Sequence, residues 1–175
     1  PADTETTDTA EETTGEERPY YVRDAKDVTG TLTVYTTIGA TEPQALRIES
    51  SIAFFRRASE IASCAIVSGS PHDDVVNAVA FCGLADRVRL ILGAGDYERG
   101  KPDPSGYLKA ADLLGVLPKD CVVIEDSAVG VAAGVAAGMK VIALDRGQTV
   151  PQHFEGETWR VKDLSEIDVE KEFGA

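Results

Sequence analysis

From residue 63 onward the chain alternates short apolar runs with longer amphipathic stretches. "CAIV" (64–67) is an unbroken apolar tetrad, the pattern of a strand buried on both faces. "SPHDDVVNAVAFCG" then predicts a helix, with Ser70 as N-cap, Pro71 at the first helical position and Gly83 at its end. Its apolar face is read as Val75, Val76, Val79 and Ala80. The cycle repeats with "VRLIL" (88–92) as a strand and a helix opened by Asp103-Pro104 that carries Tyr107, Leu108, Ala111 and Leu114. A third round gives "CVVI" (121–124), a helix across Ala128–Gly138 and a strand at "KVIAL" (140–144). Gly130, Gly134 and Gly138 recur every four residues, a bare stripe that lets this helix approach the sheet closely. "QALRIESSIAFFRRASEIA" reads as a helix ahead of the first strand, and Trp159 as the packing residue of a final edge element. Strands alternating with single helices imply right-handed crossovers and a parallel sheet covered on both faces, whose ligands bind at the carboxyl ends of the strands.

Composition narrows this picture. At 175 residues the chain can fill one core and not comfortably two. Residues 1–18, "PADTETTDTAEETTGEER", are too polar to offset their ordering entropy and are expected to be a disordered acidic tail, with 19–175 as a single domain. Thirty acidic against seventeen basic residues give a net charge of −13, which argues against a nucleic-acid or anionic-membrane partner. No apolar run is long enough to insert in a bilayer, and no signal-peptide pattern opens the chain. A start at Pro1 leaves room for a removed targeting segment. Cys64, Cys82 and Cys121 lie in apolar segments with no zinc spacing, which points to reduced core thiols in a reducing compartment, cytoplasmic or inside an organelle. His72 and His153 have no acid–base partner pattern around them and are read as surface residues.

Three polar signals fall at the predicted strand ends. Ser68 and Gly69 in "VSGS" put a hydroxyl and a sharp backbone turn beside a helix N-terminus, a setting for an oxyanion such as phosphate; the plain alternative is a cap turn. Lys101 in "GKPDP" lies between a flexible Gly100 and a rigid Pro102, so its ammonium is aimed rather than loose; the alternative is a solvated loop lysine. Glu125 and Asp126 close the apolar run "CVVIEDS", and two hard-oxygen donors there match Mg²⁺. Capping of the next helix is the simpler explanation, but one acid would suffice for that.

Taken in order and spacing, "AIVSGSP", "GAGDYERGKPDP" and "VVIEDSAVGVAAGVAAGM" resemble the haloacid dehalogenase (HAD) superfamily, and within it the β-phosphoglucomutase-like phosphatases, over residues 63 to about 147. The resemblance implies a three-layer, Rossmann-like α/β fold and phosphoryl chemistry. It implies that Ser68, Gly69 and Lys101 hold the transferring phosphoryl group of a small phosphorylated metabolite, and that Glu125 and Asp126 serve Mg²⁺.

The chain departs from the family at the nucleophile. The family presents an Asp on a buried first strand and a second Asp two residues on, in a D-x-D-G-T pattern that does not occur here. One reading takes "KDVTGTLT" (26–33), with Asp27 as nucleophile and metal ligand and Thr29 in place of the second Asp; it looks like the D-x-T-G-T-L-T motif of P-type ATPases. The charged "VRDAK" before it is a poor buried strand. The rival reading makes "DVTG" a turn between strands "YYVRD" and "TLTVY", with Thr36 and Ile38 at the two Asp positions and no nucleophile. About 40 residues separate Asp27 from Ser68, too few for the helical cap of these phosphatases, so a protein partner is a candidate cover for the site. Three functions follow: a Mg²⁺-dependent phosphohydrolase or phosphotransferase acting through Asp27, a catalytically silent HAD-like subunit of a larger assembly, or a nucleotide-binding domain. The absence of G-x-G-x-x-G and G-x-x-x-x-G-K-[ST] counts against the last.

Overall fold

A computed structural model describes residues 45–147 and 152–173. Helix α1 (Ala45–Ile61) leads into strand β1 (Cys64–Pro71), then α2 (His72–Phe81), β2 (Val88–Ala94) and α3 (Ser105–Leu114). Strand β3 (Val122–Glu125), α4 (Ala128–Ala136), β4 (Lys140–Leu144), β5 (Trp159–Val161) and a short α5 (Val169–Phe173) complete it. Among the described residues β1 pairs with β2, and β3, β4 and β5 pair in that order, every pairing parallel. The expected parallel α/β sheet is therefore present.

Period-two alternation along the strands builds two cores, one on each face. Ile66, Ile91, Val122, Ile124 and Ile142 meet Phe54, Phe55 and Ala58 of α1 and Val75 and Val79 of α2. Their neighbours Ala65, Val67, Leu90, Leu92, Val123 and Val141 meet Tyr107, Ala110 and Ala111 of α3 and Val131 and Ala133 of α4. Each core draws on both groups of strands, so the two paired groups lie in one layer between two layers of helices. Trp159 sits in edge strand β5 and meets Phe173 edge-on, with ring centroids 5.9 Å apart.

Three details differ from the expectation. Strand β1 continues to Pro71, which pairs with Ala94 and is itself the N-cap, so α2 starts at His72 and Ser70 caps nothing. The later start rotates the buried face of α2: Val75 and Val79 are inside, while Val76 and Ala80 are exposed. On α3, Gly106, Tyr107, Ala110 and Ala111 are buried and Leu108 is exposed. Of the three glycines in the predicted stripe, Gly134 makes the close approach to the sheet, since a Cβ there would lie 2.9 Å from Val141 and 3.2 Å from Val123. Gly138 instead supplies the left-handed turn after the helix, at φ 72°.

Candidate active site

The carboxyl end of β3 explains the adjacent acids. Alternation carries Glu125 to the same face as Val123, toward α3 and α4, and leaves Asp126 as the first residue beyond the strand. Glu125 is 1% exposed. Its Oε1 accepts from the Lys101 ammonium and from the Tyr107 hydroxyl (2.5 Å), and its Oε2 from the Ser127 hydroxyl (2.9 Å). Gly130 is what admits it, for a Cβ at that position would overlap the carboxylate. A charge taken this far from water persists only with such a set of partners.

Lys101 arrives from the β2–α3 connection. Its Nζ also donates to the Val67 carbonyl (3.2 Å), one residue before Ser68, and stands 4.9 Å from the centre of the Tyr107 ring. The loop-lysine alternative is thus set aside, since its side chain is 12% exposed and pinned between β1 and β3. Ser68, 5% exposed, ends the buried part of β1, and its Oγ accepts from the Ser70 N–H (3.1 Å), which leaves the hydroxyl proton to donate elsewhere. Gly69 beside it is exposed, with open space around its α-carbon.

Ser127, and neither acid, caps α4 by accepting from the Gly130 N–H (3.1 Å). Capping therefore explains neither Glu125 nor Asp126. Asp126 is half-buried, and its pKa is raised, first by burial and then by the Glu125 charge, against the opposing pull of Arg146, its own backbone hydrogen bond and Lys101. A carboxylate whose ionised form is disfavoured by a second carboxylate is a fitting ligand for a hard cation. The donor chemistry fits Mg²⁺ at Asp126. Glu125 faces inward and spends its oxygens on Lys101, Tyr107 and Ser127. Among the described residues no group of three or more acidic, histidine or cysteine side chains gathers around a metal-sized space. Asp27, Thr29, Thr36 and Ile38 all lie outside the described residues.

Beyond Asp126, at the ends of β4 and β5, Asp145, Arg146, Gly147, Lys162 and Asp163 line a hollow of about 310 Å³. His72 corrects the sequence reading. It is not a partnerless surface residue: its Nδ1 lies 2.5 Å from Asp96 Oδ2, with side chains 16% and 11% exposed. Twenty-four residues separate the two, so no local pattern announces the pair. Tyr107 reads from the sequence as a core residue of α3, yet a buried phenol must find a partner, and here it finds Glu125.

The haloacid dehalogenase-like hydrolase profile matches residues 13–138, and the chain belongs to that family. A structure described as a putative β-phosphoglucomutase from Thermotoga maritima shares its fold, with a TM-score of 0.56 at 24% identity over 72% of this chain and 59% of that one. The chain is 42% identical over 94 residues to a CBBY-like protein of Arabidopsis thaliana, covering 51% of this chain and 29% of that one. It is 44% identical over 63 residues to hexitol phosphatase A of Escherichia coli (strain K12), covering 36% and 29%. A HAD family hydrolase from Deinococcus radiodurans R1, solved with bound phosphate and sodium, superposes with a TM-score of 0.56 at 32% identity over 67% of this chain and 56% of that one. The chain thus spans under a third of the length of these two relatives and just over half of that structure. No helix among the described residues is long and apolar enough to cross a membrane.

Proposed function

We propose that the carboxyl rim of β1 and β3 is a phosphoryl site serving hydrolysis or transfer of the phosphate of a small phosphorylated metabolite. One observation carries this reading: Lys101, Ser68 and the Glu125–Asp126 pair, distant in sequence, meet at one rim of the sheet, with the lysine tied to both strands. In this arrangement Ser68 donates its hydroxyl proton to a phosphoryl oxygen, the Gly69 backbone admits close approach, and Lys101 supplies positive charge that Glu125 holds in place. Asp126, with Glu125 behind it, is the residue to hold Mg²⁺, which when bound supplies charge neutralisation at the phosphoryl oxygens. Asp27 is the proposed nucleophile, also contributing to the metal; its carboxylate would take the phosphoryl group as an aspartyl phosphate while the ester P–O bond breaks and the metabolite leaves as its alcohol. With Thr29 in place of the second Asp, that intermediate lacks its proton shuttle and hydrolyses slowly. The short span before Ser68 supports a single domain without a helical cap, in which exclusion of water falls to a partner protein.

The missing D-x-D-G-T motif favours a second reading, a HAD-like domain that binds phosphate without turnover as a structural or regulatory subunit. One experiment separates the two. Purified protein with Mg²⁺ and p-nitrophenyl phosphate releases p-nitrophenol under the first reading, and Asp27→Asn abolishes the release. Phosphate binding without release selects the second; neither binding nor release by folded protein sinks both.

A further inference from the structure

The β2–α3 connection that delivers Lys101 also grips the loop that carries Ser68. Asp96 Oδ2 receives His72 Nδ1 (2.5 Å) and the Gly93 N–H (2.7 Å). The next residue, Tyr97, donates its hydroxyl to the Ser68 carbonyl (2.9 Å). Two consecutive side chains therefore hold the two ends of the 68–72 loop, the irregular end of β1, where the register shifts between Val67 and Pro71, together with the first residue of α2. The clasp is tight on both sides. A Cβ at Gly93 would lie 2.5 Å from the His72 backbone and 2.9 Å from the Ser70 carbonyl oxygen. A Cβ at Gly106 would crowd Val67 at 2.9 Å and the Tyr97 ring at 3.3 Å. The clasp is also anchored from behind, since Lys109 of α3 donates to the Asp96 carbonyl (2.7 Å). Between the two held ends lie Gly69, Ser70 and Pro71, all exposed, of which Ser70 donates its N–H to the Ser68 hydroxyl and Pro71 pairs with Ala94.

We propose that Asp96 and Tyr97, with His72 as the gripped group, are positioning residues that fix the 68–72 loop in register with Lys101. The inference rests on the phosphoryl-site reading above. One segment, 96–101, thereby sets the distance between the ammonium and the Ser68 hydroxyl; a loop released from it would present the two groups independently. Misplacement of a phosphate ligand by about 1 Å is enough to cost orders of magnitude in a transition state that depends on alignment. His72 donates to Asp96 from Nδ1, so an asparagine at 72, whose Nδ2 sits at the same branch, can make the same bond.

The test uses the full chain, inorganic phosphate as the binding probe, and p-nitrophenyl phosphate where turnover is present. His72→Ala and Tyr97→Phe are each expected to weaken phosphate binding about 10-fold, and His72→Asn to restore it to within about 3-fold of wild type. A role confined to stability would move the melting temperature and leave the affinity of the folded protein unchanged. Where turnover occurs, kcat falls more than KM rises, because alignment matters most in the transition state. Wild-type affinity in both His72→Ala and Tyr97→Phe overturns the positioning role while leaving the phosphoryl site standing. A wild-type protein that binds no phosphate overturns the site itself, and the clasp's role with it. Tyr97→Phe removes a single hydroxyl, so the test survives a His72→Ala protein that does not fold.

Discussion

Removing the Lys101 ammonium tests the central claim, that Glu125 is a buried carboxylate held for that lysine. In Lys101→Met the stem volume stays nearly constant while the positive charge is lost. The Glu125 side chain has no exposed surface and its partner is 12% exposed, so the abandoned carboxylate cannot turn to water. Breaking a buried ion pair by deleting one partner costs about 3–5 kcal/mol. The Tyr107 and Ser127 hydroxyls still donate to Glu125, which places the expectation at the lower end, about 3 kcal/mol. For a chain of this size that is a fall in melting temperature of about 6–12 °C. Glu125→Gln is milder, about 1–2 kcal/mol, because the amide keeps acceptor and donor capacity and the freed lysine can extend toward the rim. The Lys101→Met/Glu125→Gln double variant restores charge balance, so its cost is expected to fall short of the sum of the singles by about 2 kcal/mol or more. Urea unfolding of the four proteins at one pH and salt concentration measures all of this. A Lys101→Met protein within about 0.5 kcal/mol of wild type, or strictly additive variants, would refute the buried-anchor argument.

Gly130→Ala should lose stability by about 1–3 kcal/mol in urea unfolding, although alanine favours helix by about 1 kcal/mol, because its Cβ overlaps the Glu125 carboxylate; a stabilised variant would show that the carboxylate lies elsewhere. Saturating Mg²⁺ should raise the melting temperature of wild type and leave Asp126→Asn unmoved, and an equal rise in both would remove Asp126 from the metal site. Asp163 caps the turn at Leu164–Glu166, and its pKa is lowered first by the Ser165 backbone N–H, then by the Ser165 and Ser50 hydroxyls and Arg146. A depressed folded-state pKa means stability that is present above the unfolded value of about 4 and lost as pH falls through the folded value. Asp163→Ala should therefore cost about 1 kcal/mol at neutral pH, with the gap to wild type closing in acid; a gap independent of pH would assign the loss to packing alone.

The strands from β1 to β4 were legible because a strand buried on both faces writes itself as an unbroken apolar run, and the crossover helices because each run is followed by a helical period. Helix faces were less legible. The phase of α2 depends on where β1 releases the chain, and that is decided by the pairing of Pro71 with Ala94, which the local pattern of 70–81 does not contain. At the proposed site, Ser68 and Asp126 stand out by their places at strand ends and Lys101 by its setting between Gly100 and Pro102. Their support does not: Tyr107 reads as an apolar helix position, and Asp96 finds His72 only because the parallel crossover brings the ends of β1 and β2 side by side. Asp27 lies outside the described residues, and its part in the chemistry rests on sequence.

The adjacency of Glu125 and Asp126 is the point at which fold and chemistry become one constraint. On a strand end, consecutive residues face opposite sides of the sheet, so two neighbouring acids cannot share one environment without distorting the strand. The chain gives them separate partners. One is buried against the α3–α4 layer, where Lys101, Tyr107 and Ser127 saturate it and Gly130 makes room. The other stands at the rim, where burial and its neighbour's charge disfavour its ionised form and a cation would relieve it. The inner acid thus fixes the ammonium, the outer one faces the proposed metal site, and both are set by the register of β3. A one-residue slip in the register of β3 against β4 would exchange their faces, burying Asp126 against α3 and exposing Glu125. The register of strand β3, more than the identity of either acid, therefore determines which carboxylate reaches the rim.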